Sequence, residues 1–132
     1  MDVLENRRLT VVFQPIIDLA TLRVFAYETL LRCAGYASPM NLVEAAAKEH
    51  LTGRLGRMMR ESAIAGCPDH PLFLNIDPTE FDEGWLVRPD DPIFTHEHTV
   101  HLEITEGVPL SHYRHCHGVL HEIRRRGAKV AV

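Results

Sequence analysis

Three residues stand out for the chemistry they could do: Glu28 in YETLLR, Asn75 in LFLNIDP and Glu103 in VHLEITE. Each sits in a short run rich in aliphatic and aromatic residues, as strands are. Side chains two apart on a strand share a face. Glu28, Leu30 and Arg32 therefore lie together, opposite Tyr27, Thr29 and Leu31. Phe73, Asn75 and Asp77 oppose Leu72, Leu74 and Ile76, and His101, Glu103 and Thr105 oppose Leu102 and Ile104. Two carboxylates and a carboxamide make an all-oxygen set, suited to hard cations such as Mg²⁺ or Mn²⁺ rather than zinc. Arg32, on the face of Glu28, has the planar fork that grips a phosphate.

These residues need strands to carry them. LTVVFQPIIDL reads as a first strand that ends or bends at Pro15, ATLR (20–23) as a turn, and VFAYETLLRC as a second strand. So short a connection makes the two antiparallel. Asp2 to Arg8 suits a short lead-in helix. Ser38-Pro39 is an N-cap followed by Pro at the first helical position. Apolar residues from Leu42 to Ala63 then recur at helical spacing, with a break near Thr52-Gly53 that divides two helices. PLFLNIDP (71–78) and VHLEITE (100–106) are further strands, 109–126 is a helix closed by Gly127, and AKVAV starts another strand. Alternating strands and helices predict parallel pairing.

A half-exposed antiparallel sheet would alternate in the same way, and that alternative stays open on pattern alone. In a β/α unit both faces are normally buried, so inward polar residues cost free energy unless they bind something. A barrel answers this, because its site lies where the strands end.

The chain has 132 residues, 45% hydrophobic and 24% charged, enough for one ordinary domain with a core. A net charge of −4 gives no pull toward nucleic acid or an anionic membrane. Three separated cysteines form no CxxC pair and no disulfide framework, which points to a reducing compartment. The polar N-terminus is no secretory signal, and no apolar run approaches the about 20 residues that span a bilayer. Cytoplasmic is the expected location.

Taken in order, FQPIIDL, YETLLR, LFLNIDP and VHLEITE resemble the opening motifs of the EAL-domain family of cyclic-di-GMP phosphodiesterases, from about Leu9 to Val132. The resemblance implies a TIM-type β/α barrel whose first strand runs antiparallel, of which about half is present. It implies hydrolysis of cyclic-di-GMP to linear pGpG with Mg²⁺ or Mn²⁺. Carried over by motif position, Glu28, Asn75 and Glu103 are metal ligands. Gln14, Leu30 and Arg32 contact the dinucleotide, and Glu106 has a supporting role at the site's edge. The signature triplet here is Glu-Thr-Leu, with Thr29 facing away from the ligands.

The family's pattern continues into an Asp-Asp-Phe-Gly segment and a later lysine that this sequence does not contain; Lys129 is not that lysine. The barrel fold needs about 250 residues. The expectation is therefore that 1–132 is the N-terminal portion of a single domain, by truncation or as a natural short protein. Such a chain should bind metal weakly or not at all, lack turnover by itself, and self-associate through an open barrel edge. The competing function is a non-catalytic EAL-like module for nucleotide sensing or protein interaction. His112, His115, His117 and His121 are read as a solvated helix face, His96 and His98 as loop residues, His101 as packing, and Trp85 as a loop anchor.

Overall fold

The computed structural model describes residues 9–33, 35–36, 38–81, 88–104 and 113–131. Five strands form one sheet in chain order: β1 (Leu9–Asp18), β2 (Arg23–Cys33), β3 (Leu72–Ile76), β4 (Val100–Ile104) and β5 (Lys129–Ala131). β1 pairs antiparallel with β2, and all later pairs are parallel. Helices α1 (Pro39–Lys48), α2 (Thr52–Gly66) and α3 (Tyr113–Arg125) are the crossovers, with 3₁₀ turns at Pro78–Phe81 and Pro92–Phe94. This is a partial β/α barrel, as the alternation of elements requires. The lead-in helix at 2–8, Trp85, Thr105, Glu106 and His112 lie outside the described residues.

Several boundaries differ from the sequence expectation, among them those of the first hairpin and of the helix break. β1 runs through Pro15, which pairs with Tyr27, and the hairpin turn falls at 19–22. β1 is an edge strand among the described residues, so the missing N–H of a proline costs it no ladder bond on the open side. The helix break falls at 49–51 rather than at Thr52-Gly53. His50 takes a left-handed φ of 56°, and the Leu51 N–H reaches back to the Ala46 carbonyl at 2.8 Å. Thr52 and Gly53 are buried in the first turn of α2. Ser38 caps α1 as expected, its hydroxyl accepting from the Asn41 N–H, and Gly127 ends α3 at φ 102°.

One face of the sheet lies under the helices. Leu72, Leu74, Ile76 and Leu102 are wholly buried with Ala63 and Ile123. Leu9, Leu31, Leu42, Leu55, Met58 and Met59 form a second cluster. Each such aliphatic contributes about 1.5–3 kcal/mol. This burial fixes which way the alternate residues of every strand must point.

Candidate metal centre

With the aliphatics under the helices, Glu28, Asn75 and Glu103 share the other face, each half-buried. Asn75 and Glu103 are register partners on adjacent parallel strands. Both are the penultimate residue of their strand. Glu28 aligns with Phe73 rather than with Asn75, so it starts one pleat lower on its strand. It is also not at a strand end, since β2 continues to Cys33. Its charge nonetheless reaches Glu103. Burial, and then the negative charge of Glu28, push the Glu103 carboxyl above the usual carboxylate range.

Two carboxylates are thus held in mutual repulsion, and neither has an ion pair among the described residues. A cation between them would relieve that repulsion, and Asn75, the register partner of Glu103, would offer its amide oxygen as a third ligand. The donor set fits a hard divalent ion. It is small, because among the described residues no three His, Cys, Asp or Glu side chains cluster to hold a metal.

The expected nucleotide-contact residues sit on the same face. Gln14 is the cross-strand partner of Glu28, Val12 of Leu30, and Thr10 of Arg32. Gln14 and Arg32 are exposed, and Leu30 is half-buried. The Arg32 guanidinium donates to the Leu31 carbonyl at 2.7 Å. Thr29 points the other way and is buried, its hydroxyl having no hydrogen-bond partner among the described residues.

Alternation fails at one place. A β-bulge between Ile16 and Ile17 on the hairpin leaves Phe25 without a register partner. Alternation would put Phe25 with Tyr27 under the helices. Instead its ring meets Phe73 and His101, 6.4 and 6.2 Å between centroids, on the open face. His101 stacks on Phe73 at 4.2 Å. Burial, and then Lys129, lower its pKa, and the ring packs on the same face as the candidate ligands. His117 and His121 are exposed on α3.

Sequence reading overlooked the most buried charges. Arg60, Glu80 and Asp91 are 0–2% exposed and joined by ion pairs. A signal was there: Arg60 falls within the apolar stretch of α2 that Met58, Met59 and Ala63 define.

Among known families, the model of the EAL domain matches residues 1–132. Solved structures agree in fold. A PaMucR phosphodiesterase in complex with c-di-GMP superposes with a TM-score of 0.79 at 19% identity, covering 96% of this chain and 59% of that one. Klebsiella pneumoniae BlrP1, a manganese and cyclic-diGMP complex, gives 0.73 at 25% identity, covering 95% and 34%. An EAL domain protein from Listeria monocytogenes gives 0.70 at 16%, covering 98% and 56%. This chain therefore spans less than two thirds of each of these structures. No curated protein sequence matches it. Among the described residues no helix is long and apolar enough to cross a membrane.

Proposed function

The chain belongs to the EAL domain family, and on that premise we propose that it carries the first part of a divalent-metal site for hydrolysing cyclic-di-GMP to linear pGpG. One observation supports this above the others: Glu28, Asn75 and Glu103 share the open face, Asn75 and Glu103 as register partners, and burial and then the charge of Glu28 push the Glu103 carboxyl up. Maintaining that repulsion is unfavourable unless a cation offsets it. Glu28, Glu103 and Asn75 would hold Mg²⁺ or Mn²⁺ through oxygen, and the ion would lend charge to the phosphate oxygens. Arg32 would exchange its bond to the Leu31 carbonyl for a stronger, charge-assisted one to a phosphate. Gln14, opposite Glu28, would donate its amide to the dinucleotide, and Leu30 would pack against a base.

Three protein ligands are too few for the two-ion arrangement that steadies both the attacking and the leaving oxygen. The polypeptide of residues 1–132 is therefore expected to bind Mn²⁺ weakly and to release no pGpG. The assay is chromatography of cyclic-di-GMP incubated with the purified chain and Mn²⁺. Measurable turnover would overturn the incomplete-site reading, and Mn²⁺ binding that survives loss of both Glu28 and Glu103 would overturn the ligand assignment. The open face also exposes Val12 and Phe25. We propose that a second copy covers it when these residues stand alone; a clean monomer by light scattering would remove that proposal.

A further inference from the structure

Arg60 reaches from α2 to both ends of the connection between β3 and β4, the turn just after β3 and the turn before β4. Its Nε and Nη2 donate to the Asp91 carboxylate at 2.8–3.1 Å. Its Nη1 donates to Glu80 Oε1 at 2.7 Å. Each acid spends an oxygen on backbone as well: Asp91 Oδ1 accepts from the Ile93 N–H at 3.1 Å, and Glu80 Oε2 from the Asp77 N–H at 3.2 Å. Gly56, one helical turn before Arg60, lets the carboxylate in, since a Cβ there would collide with Glu80. The last bond matters for the site, because Asp77 follows Asn75 by two residues at the end of β3.

We propose that Arg60, acting through Glu80, is a positioning residue for Asn75: it pins the backbone of Asp77 and so sets where the Asn75 carboxamide stands beside Glu103. This rests on the metal-site reading above for its functional meaning, but not for its geometry.

The clamp has one guanidinium for two buried carboxylates. The charged groups facing Glu80 are Arg60 from α2, which also holds Asp91 from the turn before β4, and Asp77 from its own turn. Burial pushes the Glu80 carboxyl up to about 7, although Arg60 pulls it down. A proton arriving there favours Oε2, since Oε1 faces a charged donor. Protonated Oε2 is a hydroxyl set against the Asp77 N–H, so the pin loosens as pH falls through that value.

Amide NMR of the metal-free chain between pH 6 and 8.5 tests this, with Mn²⁺ titration as a second readout. In the wild-type chain the Asp77 and Asn75 amides should shift together with a midpoint near 7. In Glu80→Gln that titration should vanish, and Mn²⁺ affinity should fall about tenfold, as when a partner orienting a metal ligand is lost. Asp90→Asn is the control: it removes the exposed carboxylate paired with Arg57, on the same helix as Arg60, without touching Asp77. It should change neither readout. Absence of a joint shift in the wild-type chain, or its persistence in Glu80→Gln, overturns the proposal. A wild-type chain that binds no Mn²⁺ defeats the metal-site reading, while the amides still decide the clamp.

Discussion

Glu28 and Glu103 carry the same charges as Glu80 and Asp91, yet the two pairs are built in opposite ways. Glu80 and Asp91 are buried to 2% exposure or less, and each meets a guanidinium and a backbone N–H. Glu28 and Glu103 are half-exposed and share one face of the sheet without an ion pair among the described residues. Buried acids need a permanent counter-charge in the fold, because bare burial is prohibitive. Acids left beside solvent in mutual repulsion are suited to a counter-charge that arrives from outside. The difference separates a structural clamp from a candidate binding site by its electrostatics.

The largest effect should come from removing the clamp's cation. Arg60→Met leaves two buried acids without a counter-charge, and chemical denaturation should show a loss of about 3–5 kcal/mol. A loss below 1 kcal/mol would mean that the pocket admits water and the contrast is false.

Acid should act in the opposite sense to common expectation. Glu80 has its folded pKa raised from 4.5 to about 7, so the folded state holds the proton more tightly. Its contribution to stability is fully present below about 4.5 and is lost as pH rises to about 7. Thermal melts of Glu80→Gln should lack that part of the slope; melts that track wild type across the window would assign the slope to other groups.

Thr29 lies under the helices with a buried hydroxyl that no described residue satisfies. Thr29→Val keeps the shape and removes the unmet polar atom, so a gain of about 1 kcal/mol is expected. Destabilisation instead would reveal a water or a further partner at that hydroxyl.

Glu103→Gln should have the smallest effect on folding and a distinct one on function. Removing the repulsion from Glu28 should leave the metal-free chain equally or slightly more stable, while Mn²⁺ binding is lost. If calorimetry shows Glu103→Gln markedly destabilised, then Glu103 belongs with the structural acids and the comparison collapses.

Much of the site was readable because strands impose a period of two. Once Leu72, Leu74, Leu102 and Ile104 were assigned to the core, Asn75 and Glu103 had to share the other face, and the structure makes them register partners. The same rule failed at Phe25, where a bulge inserts an extra residue and turns the ring onto the open face. It also put Glu28 level with the strand ends, whereas its register is set by how β2 slides against β3. Pro15 was read as a break because proline disrupts interior strands, and β1 is an edge among the described residues.

The sequence by itself determined the order of elements, the face on which each strand carries its polar residues, and the family. These follow from local patterns of apolar spacing, caps and turns, which neighbouring residues decide among themselves. Only the tertiary structure decided that Glu28 stands close enough to Glu103 to raise its carboxyl, and that Arg60, Glu80 and Asp91 meet. Those contacts join residues 20 to 75 positions apart, and no local period records them. They depend on strand register and on the depth at which α2 packs, and both are set by burial across the whole sheet.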